Sequence, residues 1–173
     1  MHFMGNLRLS TGIRFGLVTS GLQIFIGLAL FFAGLVDYSG GTSGWVSFLV
    51  LLLGLYLASE HFKKQNENYL GTKDMIVISL WLGILVGIIS GIYAVVYMQM
   101  DPTIIEKTMN MTEARMEEQG VSDEQIKMTL NMMEKFFSPG YLIAASLLMN
   151  LIFSVFIGTI LGLILKKERP IFD

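Results

Sequence analysis

Four long stretches without a charged residue run through the chain: Phe15 to Val36, Tyr38 to Ser59, Met75 to Met100 and Phe136 to Leu165. A helix of roughly 20 apolar residues crosses a hydrocarbon core about 30 Å thick, and each stretch is long enough to do so. Where no water reaches, a helix satisfies its own backbone groups, so such runs read as transmembrane helices. The pattern predicts spans over about 14–36, 43–60, 75–99 and 139–165. The second has the shortest apolar core, Trp45 to Ala58, with Trp45 at one end and Tyr56, Glu60 and His61 near the other. Those residues are suited to the two membrane–water boundaries.

Between the third and fourth runs the pattern becomes amphipathic. Ile105, Met109, Thr112 and Met116 recur at helical spacing, as do Ile126, Leu130, Met133 and Phe137, with Met128, Met132 and Phe136 widening the second face. Asp101 and Pro102 mark a helix start, Gly120 a stop, Ser122 with Gln125 a capping box, and Ser138 with Pro139 the start of the last span. The segment 102–137 is therefore expected to form a helical hairpin. Its interaction face, made of Ile105, Met109, Met116, Ile126, Leu130, Met133 and Phe137, must meet its own partner helix, the outer leaflet or another protein. The fold class is all-α: a polytopic membrane protein in which four transmembrane helices form a compact bundle, with the two-helix amphipathic hairpin between spans three and four. Residues 1–173 make a single membrane domain, because the spans and connections leave no room for another.

Composition agrees, with a mean hydropathy of +0.62 and 15% charged residues against about a quarter in soluble domains. A net charge of −2 argues against nucleic-acid binding. The absence of cysteine excludes disulfides and thiolate chemistry. Arg8 and Arg14, Lys63, Lys64 and Lys73, and Lys166, Lys167 and Arg169 flank alternate span ends, whereas the connection Asp37–Gly44 carries no basic residue. Basic residues stay on the cytoplasmic side, so both termini are expected there and the acidic hairpin outside. The first run is too long for a signal peptide and has no small-residue cleavage site after it, so it is expected to remain as a span.

Small residues stand four apart on three spans: Gly12, Gly16 and Ser20; Gly83, Gly87 and Gly91; and Asn150, Ser154, Gly158 and Gly162. Such stripes let helix backbones approach closely in lipid, within one chain or between two copies. Inside their ends, none of the spans contains an ionised residue. Gln23 and Asn150 are the conspicuous polar ones and are expected to hydrogen-bond between helices. A proton- or ion-coupled transporter would normally keep a carboxylate or a basic group there.

Eight of the twelve methionines lie between Met98 and Met133. Thioethers suit Cu(I), so Met109, Met116, Met128 and Met132 form an alternative metal set. Methionine also fills adaptable apolar faces, and that is the reading preferred here, with no cofactor. No nucleophile elbow, zinc-binding His pair or phosphate loop occurs, which argues against an enzyme.

Met100-Asp101-Pro102, Glu117-Glu118-Gln119-Gly120, Ser122-Asp123-Glu124-Gln125-Ile126, the run Met132 to Pro139 and Lys166-Lys167-Glu168 together resemble the bacterial four-span family catalogued as domain of unknown function 4199. The resemblance implies a multi-pass inner-membrane protein with no assigned activity, and it carries over no catalytic residue. The expected function is that of a non-catalytic accessory or interaction subunit of an envelope complex, in contact with lipid and with a protein partner or a second copy. Periplasmic Cu(I) handling and small-solute transport are the alternatives, the latter needing a wet path near Gln23 and Asn150.

Overall fold

The computed structural model describes residues 2–36 and 41–167, with side chains over 5–36 and 44–167. Residues 37–40 of the first connection, and Arg169, lie outside the described residues. Among the described residues six helices follow one another: α1 (His2–Phe32), α2 (Gly41–Gln65), α3 (Thr72–Met100), α4 (Ile104–Glu118), α5 (Asp123–Phe136) and α6 (Pro139–Ile164). Four of them are long and apolar enough to cross a membrane, over Gly5–Phe32, Gly44–Gln65, Thr72–Met100 and Pro139–Ile164. Helices α4 and α5 form the hairpin between the third and fourth.

Helix α1 begins well before the expected first span and stops at Phe32 rather than 36. It stops because Gly34 takes a left-handed conformation (φ 67°), which costs a residue without Cβ little. Leu35 N–H then donates to the Leu30 carbonyl and Gly34 N–H to that of Phe31, a Schellman closure. Gly120 (φ 72°) ends α4 in the same way, with Val121 N–H donating to Met116. Ser122 and Ser138 occupy the N-cap positions of α5 and α6, but neither side chain makes a capping hydrogen bond, so the expected capping box does not form.

Helix α3 is central, with α6 along one side and α1 along the other, while α2 packs chiefly on α1. The glycine stripes lie in these seams. A Cβ built on Gly87 would stand 2.6 Å from Leu147 Cα, and one on Gly91 2.7 Å from Ile143 Cα. Gly83 faces Ser154, Gly158 faces Ser79, and a Cβ on Gly162 would stand 3.1 Å from Thr72 Cα. The five glycines thus line one continuous α3–α6 contact inside a single chain. On the other side of α3, a Cβ on Gly12 would meet Trp81 Cβ at 2.7 Å and one on Gly16 would meet Leu85 Cβ at 3.1 Å.

The tightest packing lies toward the end of the bundle that holds the start of α1, the α2–α3 turn and the end of α6. Leu55, Phe62, Leu70, Met75, Ile78 and Leu82 are fully buried in one cluster. There Leu70 and Lys167 exchange two backbone hydrogen bonds of 2.9 Å, fastening the tail of α6 to the turn. Arg8 reaches across from α1 to Asp74, with 2.5 Å between Nη2 and Oδ1. The other Asp74 oxygen accepts the Gly71 N–H at 2.8 Å, capping the start of α3.

At the opposite end, α4 begins two residues later than the proline pattern predicts. Asp101 is extended, as a residue before proline tends to be, and serves as the C-cap of α3. Its Oδ1 accepts Thr103 N–H at 3.0 Å and Thr103 Oγ1–H at 2.5 Å, while Lys107 Nζ lies 3.3 Å from Oδ2. Thr103, foremost, holds the Asp101 carboxyl below its ordinary 3.8, and Lys107 adds to the effect. The folded joint therefore prefers the ionised form, so its contribution is intact above pH 3.8 and is lost as pH falls through the lower folded value. In a carboxyl-carbon NMR titration, Asp101 should titrate below 3.8 and move back up in Thr103→Val.

Candidate functional site: a cavity between α1, α2 and α3

In the half of the bundle nearer the hairpin, the helices separate around a partly enclosed cavity of about 330 Å³. Helix α1 contributes Gln23, Gly27 and Leu30, α2 contributes Ser47 and Val50, and α3 contributes Ser90, Tyr93 and Tyr97. Ile104 and Thr108 of α4 cover it from the hairpin side. That volume falls within the range of small-molecule sites, which pair apolar walls with a few placed polar groups.

The polar groups meet at Gln23. Its amide nitrogen donates to the Ser47 carbonyl at 3.2 Å, and its amide oxygen accepts the Ser90 hydroxyl at 3.3 Å. One glutamine thereby joins three helices. Tyr93 stacks on Tyr97, their ring centres 5.7 Å apart. Its hydroxyl is buried with no hydrogen-bond partner among the described residues. A Cβ on Gly27 would stand 2.9 Å from that oxygen, so the glycine makes room for the phenol. A buried hydroxyl left unpaired costs about 1–3 kcal/mol, which a ligand acceptor would recover. Among the described residues, no ionised side chain lines the cavity.

One comparison bears on identity: a family model described as a protein of unknown function (DUF4199) matches residues 14–167. The chain belongs to the DUF4199 family. No curated protein and no solved structure matches it. In this DUF4199 protein the whole cavity lies inside the matched segment, whereas Arg8 lies before it.

The other expected site residues are dispersed. Asn150 does not bridge helices through its side-chain amide, which donates to the Ser146 carbonyl of its own helix at 2.9 Å. This is a back-bond to the preceding turn of the same helix. Asn150 instead borders a separate groove between α2 and α6 with Trp45, Phe48 and Phe153.

In this DUF4199 hairpin the face proposed for interaction is the covered one. Ile126 is buried, and Ile105, Met109, Met116, Leu130, Met133 and Phe137 are half-buried, where α4 and α5 pack together. The four candidate copper ligands split accordingly: Met109 and Met116 belong to the covered stripes, while Met128 and Met132 are exposed. Sequence reading singled out Gln23 but missed Tyr93, because a tyrosine near a span end reads as a boundary anchor. The available signal was Gly27 and Tyr93 on neighbouring spans, one making space for the other.

Proposed function

We propose that this DUF4199 protein is a non-catalytic, accessory protein of the bacterial inner membrane, with both termini cytoplasmic, that retains an uncharged, carbonyl-bearing lipid in the α1–α2–α3 cavity. The observation carrying this reading is the Tyr93 hydroxyl, unpartnered among the described residues, in a cavity whose polar neighbours are Gln23 and Ser90 and whose described lining has no charge. A phenol can donate to an ester or ketone oxygen, and Gln23 has a second amide hydrogen beyond the one given to Ser47. A phosphate would find no cation among the described lining residues. Retention suits the geometry better than conduction: further along the helices toward the closed end, Leu55, Leu82 and Val86 are fully buried. Orientation rests on Arg8, Arg14, Lys63, Lys64, Lys73, Lys166 and Lys167 sharing one end.

Photolabelling of the purified protein in lipid nanodiscs with a diazirine-bearing dioleoylglycerol tests this reading. Label is expected on α1 around Gln23–Leu30 and on α3 around Ser90–Tyr97, displaced by unlabelled dioleoylglycerol. Tyr93→Phe should weaken competition about five-fold, the equivalent of one hydrogen bond of about 1 kcal/mol. Gly27→Leu should abolish it by filling the space. Label spread over the outer face of α6 and indifferent to both substitutions would overturn the reading.

A further inference from the structure

Helix α5 has more apolar surface than α4 covers. Ile126, Leu130, Met133 and Phe137 turn toward the hairpin interior, yet Met128, Met132 and Phe136 remain 64%, 46% and 43% exposed. At 100° per residue these three form a second stripe, which takes in the uncharged Gln125 and is separated from the first by the uncharged Thr129. The charged residues Asp123, Glu124, Lys127, Glu134 and Lys135 occupy the remaining arc, with Lys135 at the edge of the stripe.

The stripe continues into surface that already faces lipid. Phe136 stacks on Tyr141 of the first turn of α6, with ring centres 4.5 Å apart and planes 17° from parallel. Tyr141 is exposed, and beyond it α6 exposes Leu148, Ile152 and Phe156 along the span. Pro139 begins that span three residues after Phe136, so the end of α5 is held at the membrane boundary. Met128 lies eight residues back along the helix, about 12 Å at 1.5 Å per residue. The headgroup region adds about 5–8 Å on each side of the hydrocarbon, so a modest tilt keeps the whole stripe in reach.

We infer that α5 docks its Met128–Met132–Phe136 stripe into the outer leaflet of the protein's own bilayer, as an interfacial helix rather than as a surface for another protein. Apolar faces of such helices sink about 5–10 Å into the headgroup and acyl boundary. Lys135 at the stripe's edge is placed for its ammonium to reach lipid phosphate while its stem stays on apolar surface. Because α4 covers the cavity and α5 is its partner in the hairpin, the lipid contact holds that cover down on the bundle.

The chain contains no cysteine, so single spin labels can be placed at Met128→Cys, Met132→Cys and, as the polar-arc control, Asn131→Cys. All three positions are exposed, which keeps folding intact. In phosphatidylglycerol–phosphatidylethanolamine vesicles, collisions with oxygen relative to a water-soluble nickel chelate should be several-fold more frequent at 128 and 132 than at 131. Equal ratios at the three sites would place the stripe in water. Low collision with both reagents at 128 and 132 would place it under protein. Either result overturns the inference, independently of what the cavity binds.

Discussion

Alanine at Gly87 is expected to destabilise the bundle by about 2 kcal/mol, in the range found when atoms are forced into a packed core. The added carbon would lie 2.6 Å from Leu147 Cα and 3.1 Å from the Ser146 carbonyl oxygen. Both are backbone atoms, so no side-chain rotation relieves the clash and α6 itself must move. Gly21 provides the control, since a Cβ there meets nothing within 4 Å. Gly21→Ala should be neutral or stabilise by up to about 1 kcal/mol through the helix preference of alanine. Reversible unfolding in mixed micelles, compared between the two variants, checks the prediction. Equal stabilities would show that the α3–α6 seam does not depend on close approach. A loss of dimer with unchanged monomer stability would move the stripe to an interface between copies.

The second large effect is expected at Asp74. Breaking a fully buried ion pair by removing one partner costs about 3–5 kcal/mol, and a surface pair contributes at most about 1. Arg8 and Asp74 lie between, with 30% and 12% of their side chains exposed, so Asp74→Ala should cost about 2 kcal/mol. The figure includes the carboxylate's acceptance of the Gly71 N–H. Asp74→Asn keeps an acceptor for that N–H while removing the charge and should be milder. Combining Asp74→Ala with Arg8→Met should cost less than the two separate losses together, because no ionised partner is then stranded. Strict additivity in the same unfolding assay would mean that the pair contributes nothing as a pair.

The helices were legible because lipid imposes a simple demand, uncharged runs of sufficient length, and four such runs stand out. Their partners were legible only in part. The glycines at positions 83, 87, 91, 158 and 162 read as close-packing sites, but spacing alone could not say that α3 and α6 of one chain meet there. Arg8 read only as a marker of sidedness. Its contact with Asp74 joins residues far apart in sequence and depends on α1 continuing as a helix well before its apolar run begins. Gln23 stood out, with Asn150, as a conspicuous amide within a span, whereas Tyr93 and Ser90 became a site only once three helices brought them together. In the hairpin, periodicity showed one broad apolar face on α5 but gave no means of telling that Ile126, Leu130, Met133 and Phe137 would be covered while Met128, Met132 and Phe136 stay exposed.

The α3–α6 seam also bears on how the protein is made. Helix α3 is synthesised and released into the bilayer before its main neighbour exists, since the entire hairpin must be translated before Pro139. Through that interval the groove at Gly83, Gly87 and Gly91 has only acyl chains to fill it. The last helix must then displace those lipids, and the two hydrogen bonds between Leu70 and Lys167 can close only after α6 is in place, making them a latch on the finished bundle.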